Sequence, residues 1–280
     1  MTDHPAETGH SAETGHRTAT DHAPETGYFG PGSVSRRVIA DPAAGVGGIR
    51  ALFLQALHPR AMAGVAQHSN FAADFWPRLQ RTAQYVTTVA FGSTEQADAA
   101  AARVRAVHRQ VRGVDQVTGL PYAADDPDLL RWVHVTEVSS FLDAVRRAGL
   151  RLTDAEADEF YAEQVTAAAL VGATDVPASR AEVAEYLRAV RPELRASRVA
   201  REAALRLALP PMPMRVQLFT PARPAWAVVA GVAYGLLPGW ARQCYRLPGP
   251  PGTELAATVA LRGLRAAALV LPPSVRPRRR

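Results

Sequence analysis

His108 is the side chain in this sequence with the clearest capacity for chemistry. It lies in Arg103-Val104-Arg105-Ala106-Val107-His108-Arg109-Gln110-Val111-Arg112-Gly113. Helical spacing from Val104 and Val111 places it on an apolar stripe with Val107, flanked by arginines. The stretch reads as one helix ending at Gly113. An imidazole on such a stripe is either a packed, hydrogen-bonded core group or a ligand to something buried there. His134, between Leu130 and Val138 on the next long apolar face, points inward in the same way. Glu137, one turn on, either orients it or is solvated.

Arg78 and Thr82 are four residues apart and share a helix face with Tyr85 one turn further. An arginine and a threonine so stacked can hold a carboxylate or a propionate. The alternative is a surface arginine beside a threonine bonded back to its own helix. His58 precedes Pro59 and is expected to serve a turn, and His68 to end its helix. Cys244 is expected to be a small buried hydrophobe rather than a nucleophile, with no histidine near it in sequence. The chain has no Gly-rich phosphate loop, no His-Glu-x-x-His, no nucleophile elbow and no Cys-x-x-Cys.

The elements that must position these groups read as helices. Residues 29–46 are a lead-in rich in Gly and Pro. From Gly47, apolar residues at Ile49, Leu52, Phe53 and Leu57 predict a helix that meets His58-Pro59. A second runs to His68 and a third from Arg78 to about Phe91, before Gly92. Ser93 or Thr94 caps the helix of His108, and a helix from about Asp128 to Arg147 stops before Gly149. Thr153 with Glu156, and Ser179 with Glu182, predict capping boxes for two more. Pro192 opens a helix to Leu209, Thr220–Leu237 forms an apolar one, and Glu254–Val270 the last. No alternating segment is long enough to predict a strand. The expectation is an all-α, single globular domain of roughly ten helices over residues 29–272, with a basic tail at 273–280.

Residues 1–28 repeat Ala-Glu-Thr-Gly-His loosely, with His4, His10, His16 and His22 six residues apart. Glycine separates each glutamate from its histidine and there is no apolar periodicity, so this tail is expected to be disordered and not an iron site. The chain of 280 residues contains no lysine, so all 32 of its basic residues are arginine. The tail carries five acids against Arg17, a net of −4, which leaves +10 on the rest. That charge fits peripheral contact with an anionic membrane. The arginines are dispersed and not interleaved with aromatics, so specific nucleic-acid binding is not expected. The longest apolar run, Ala225–Leu237, is too short to span a bilayer. Arg36-Arg37 lacks the apolar segment of an export signal, and one cysteine excludes a disulfide framework; a cytoplasmic location is expected.

Five co-linear blocks carry a family resemblance. They are Arg50-Ala51-Leu52-Phe53-Leu54-Gln55-Ala56-Leu57-His58-Pro59 with Gly64–Phe71; Arg78-Leu79-Gln80-Arg81-Thr82; Phe91-Gly92; Val107–Gly113; and Tyr122–Pro127 running into Leu129–His134. In order and spacing, over about residues 30–240, these resemble the MpaB and latex-clearing-protein oxygenases. The resemblance implies an all-helical domain whose rubber-cleaving members bind one b-type haem. It implies His108 as the iron ligand, Arg78 and Thr82 as haem-lining and catalytic residues, and His134 as a second pocket histidine. A haem-b-dependent oxygenase would take a hydrophobic small-molecule or lipid-like substrate with O2 or peroxide. The other readings are a non-catalytic haem-binding protein and a haem-free structural or interaction module. Two departures stand out. Where a latex-clearing member can place a distal lysine this chain has Arg81, which stays protonated. Between Leu54 and Asp74 it has no acidic residue where those members carry a base.

Overall fold

The computed structural model describes Met1, residues 27–68 and residues 74–270. The expected disorder of the tail falls almost wholly on residues 2–26, and the basic tail falls within 271–280; both lie outside the described residues. Thirteen α-helices and one two-stranded ribbon are present among those described. They run α1 (Val34–Ala40), α2 (Pro42–Gln55), α3 (Pro59–His68), α4 (Phe75–Phe91), α5 (Thr94–His108), β1 (Arg112–Val114), β2 (Pro121–Ala123), α6 (Pro127–Arg147) and α7 (Asp154–Val171). After these come α8 (Arg180–Ala189), α9 (Arg198–Ala208), α10 (Met214–Phe219), α11 (Ala222–Gly235), α12 (Gly239–Cys244) and α13 (Thr253–Val270). The all-α expectation holds.

The helix ends follow local chemistry. Thr153 and Glu156 make the reciprocal capping box of α7, and Ser93 makes one with Gln96 on α5. At Ser179 the hydroxyl caps α8, but the Glu182 carboxylate reaches Ala178 N instead of its own cap. Gly172 ends α7 with φ +95°, a left-handed position that favours glycine.

Several boundaries differ from the sequence-based expectation. The lead-in is helical: Ser33 caps α1, Asp41 caps α2, and Pro42 occupies the first turn of α2, where its missing N–H is not needed. Pro77 likewise sits in the first turn of α4, which begins at Phe75. Pro192 lies in a 3₁₀ turn (Arg191–Glu193), and α9 starts only after Ser197 caps it. The short helices α10 and α12 add to the expected number.

The helix of His108 ends at His108, not at Gly113. Arg112, Gly113 and Val114 pair antiparallel with Ala123, Tyr122 and Pro121. Gln67 of α3 locks this ribbon, donating to Val114 O at 2.9 Å and accepting from Tyr122 Oη at 2.9 Å. A Cβ on Gly113 would lie 2.7 Å from Tyr122 Oη, so glycine serves close approach there and not a helix end. Strands of three residues are below the length at which alternation can be read.

The core is built on α2 against α6, with α11 and α13 covering α2. Trp132, Val135, Val145, Phe53, Leu54, Leu236, Leu237 and Leu261 are fully buried there. Gly47 permits the close α2–α6 approach, because a Cβ would meet Ser140 O at 2.7 Å and Phe141 Cα at 3.0 Å. Arg50 crosses the same interface. Its guanidinium donates to Leu236 O (3.0 Å) and Ser140 Oγ (2.7 Å) and lies 3.4 Å from Asp143. A buried arginine survives because its donors are answered.

Candidate functional site

The helix α4 is pinned at both ends and open in the middle. At its start Phe75 and Trp76 stack edgewise on Trp226 of α11, and Trp76 Nε1 donates to Pro211 O at 2.7 Å. At its end Val89 packs with Phe29 and Ala97, and Arg36 Nε donates to Ala90 O at 3.0 Å. Between these anchors residues 80–84 are all exposed. Successive helical residues turn by about 100°, so five in a row sweep more than a full turn. That turn of α4 therefore presents exposed side chains all round, while Leu79 and Val86 on either side of it pack against the core.

Arg78, Thr82 and Tyr85 descend one face of α4. Thr82 Oγ1 donates to Arg78 O at 3.1 Å, the back-bonded arrangement weighed for it above. Arg78 is half-buried; desolvation lowers its pKa first, and the neighbouring Arg81 adds to this. Arg81 is itself exposed.

His108 is the last residue of α5, which packs along α4. The helix turns Ala97, Ala100 and Ala101 into the core and not the valine stripe, and Val107 is 60% exposed. His108 is half-buried, and its Nδ1 is buried with no hydrogen-bond partner. Desolvation lowers its pKa, Asp125 opposes that and Arg78 reinforces it, so the ring is neutral at pH 7. The influence of Arg78 on His108 brings α4 and the end of α5 to one locality.

His134 and Glu137 sit one turn apart on α6. Both are half-buried, and desolvation is the cause that shifts each of them. Burial pulls His134 down to about 4 and pushes Glu137 up to about 7. His134 Nε2 is buried without a partner, and so is Tyr85 Oη. The Tyr85 hydroxyl is raised by burial first and then by Glu137, while Arg105 opposes both. Glu137 therefore neither orients His134 nor sits in open solvent. It faces the same interior as Tyr85. Sequence reading placed Tyr85 on the right face and Glu137 one turn from His134 but assigned neither to the site; the i, i+4, i+7 run on α4 and the i, i+3 pair on α6 were the available signals.

The other candidates lie apart from this group. His58 is buried at the α2–α3 junction, with Nε2 3.7 Å from Glu193 and its ring 6.0 Å from that of Trp132. His68 ends α3, its Nε2 lying 3.0 Å from Arg112 O. Cys244 is half-buried, and desolvation raises its thiol. Two surface clefts, of about 550 Å³ beside Arg242 and about 420 Å³ beside Arg180, share no residue with the group. Their arginines are already engaged, Arg242 by main-chain oxygens and Arg180 by Asp154 and Asp158. Among the described residues no three or more His, Cys, Asp or Glu side chains gather to hold a metal ion. No helix there is long and apolar enough to cross a membrane.

Three buried polar atoms without partners, Tyr85 Oη, His108 Nδ1 and His134 Nε2, thus fall on α4, α5 and α6 respectively. In comparison with protein families, residues 36–269 match the model described as ER-bound oxygenase mpaB/B'/rubber oxygenase, catalytic domain, and the chain belongs to that family. The family is one of oxygenase catalytic domains. No curated protein and no solved structure matches the chain.

Proposed function

We propose that the protein is a haem-b-dependent oxygenase acting on a hydrophobic small-molecule or lipid-like substrate, with O2 or peroxide as co-substrate. The observation that carries this reading is His108, a neutral imidazole at the end of α5 with a buried, unpartnered ring nitrogen. A haem iron needs a single protein donor of this kind, so the residues present fit the group. Bound there, haem would supply the iron at which O2 or peroxide is activated.

The chain's own residues would do the rest. His108, neutral at working pH, offers a lone pair without first losing a proton. Arg78 brings a fixed positive charge to the same locality and can answer a propionate. The Thr82 hydroxyl can turn from Arg78 O to a bound group. Arg81 presents a delocalised guanidinium in place of a lysine amine and is no second donor to iron. His134 is neutral and adds a second polar contact on the α6 side. The missing acid between Leu54 and Asp74 separates this chain from the polyisoprene-cleaving members in its proton chemistry.

Absorption spectra of the purified protein and of His108→Ala and His134→Ala test the assignment. Wild type should show a Soret band that His108→Ala loses. Full haem content with an unchanged spectrum in His108→Ala would sink the proposal, and loss in His134→Ala alone would move the ligand to α6.

A further inference from the structure

Tyr85, His134 and Glu137 form a second constellation that iron ligation does not use. Tyr85 projects from α4 and the other two from α6, while α5 and α7 bridge those helices. Tyr85 Oη and His134 Nε2 are buried without a partner, Glu137 lies one helical turn from His134, and its charge acts on Tyr85. Two buried polar atoms left without partners on α4 and α6 are unusual in a folded interior, where such groups are almost always paired. From this juxtaposition we infer that Tyr85, His134 and Glu137 make a subsite for an uncharged hydroxyl or carbonyl group at one end of an otherwise apolar ligand. This deepens the functional reading above and rests on it.

The chemistry of the three groups selects such a ligand. Tyr85 keeps its proton and can donate; neutral His134 offers one donor and one acceptor. Glu137, pushed up to about 7, can accept when ionised and donate when protonated. A hydroxyl can accept from Tyr85 while donating to Glu137 or His134, and a carbonyl can accept from Tyr85 and protonated Glu137. A ligand carboxylate would face ionised Glu137, and a cation would meet the positive charges of Arg105 and Arg78, which act on Tyr85 and His108. An uncharged oxygen avoids both.

Isothermal titration of the full-length protein with decan-1-ol and with 1-chlorodecane, which differ only at the terminal group, tests the subsite. Wild type should bind the alcohol about 10-fold more tightly, the worth of hydrogen bonds to buried groups otherwise left open. Tyr85→Phe and Glu137→Leu should each weaken alcohol binding about 5-fold and leave chlorodecane binding unchanged. Equal binding of the two compounds, binding of neither, or an alcohol preference that survives both substitutions overturns the subsite. Haem content recorded on the same samples keeps the two readings apart. An alcohol preference in a protein without a Soret band supports the subsite and fails the haem reading. Haem lost together with the preference in both variants assigns these residues to holding the cofactor and overturns the subsite.

Discussion

Glu137 and His134 are buried in opposite senses, and the pH dependence of stability should separate them. A carboxyl whose pKa rises on folding, from its ordinary 4.5 to about 7, holds its proton longer in the folded state. Its contribution is complete below 4.5 and is lost as pH rises through about 7. His134 falls from 6.5 to about 4, so it removes stability as pH drops across that interval. Glu137→Gln, which keeps the shape of the protonated acid, should match wild type near pH 4.5. It should exceed wild type at pH 8 by on the order of 2 kcal/mol, after discounting for solvent screening. Urea denaturation at the two pH values measures this. A difference that does not change with pH would mean that Glu137 is solvated in the folded state. Isolated residues carried part of this story in the sequence: the Arg78–Thr82 spacing and the place of His134 on α6 were legible, whereas the valine stripe used to orient His108 does not face the core. That His108 Nδ1, His134 Nε2 and Tyr85 Oη all lack partners was not legible, because partners come from other helices.

Among the elements, α2 and α6 determine how the rest is arranged, and their approach depends on Gly47. Substituting alanine would ordinarily help a helix by nearly 1 kcal/mol. In this setting the new methyl would press on the backbone of α6 at Ser140 and Phe141. Gly47→Ala should therefore lower stability, by about 1–3 kcal/mol, as overpacking of a close interface does. A chemical denaturation curve shifted to higher denaturant would show that the interface yields without strain. The capping boxes of α5 and α7 are consequences of residues three apart, and such ends can be read locally. The end of α5 could not be read that way. Arg109 to Gly113 continue a helical pattern, yet pairing with Pro121–Ala123 and the hold of Gln67 draw the chain into a ribbon immediately after His108.

In the whole molecule, α4 is anchored at its two ends while its middle turn is exposed, and packing is already in place at Phe29. Phe29 is buried and Tyr28 Oη donates to Asp98 at 2.6 Å, so the last residue of the repeat already belongs to the packed body. Removing residues 1–26 while keeping Gly27 onward should leave the Soret absorbance and the midpoint of thermal unfolding unchanged. A fall in either, measured on the truncated protein beside the full chain, would show that the repeat contributes to the fold or the site.

The amino-acid sequence alone determined that the chain is helical, where helices such as α6, α7, α8 and α13 begin and end, and which blocks tie it to its oxygenase family. These properties depend on neighbours within about four residues, the range over which helical hydrogen bonds and caps act. Only the tertiary structure decided that Val107 faces out, that Arg50 bridges α2, α6 and the end of α11, and that Tyr85 looks across to Glu137. Those facts depend on which helix faces share a space, and helix–helix packing brings together residues that no local spacing connects.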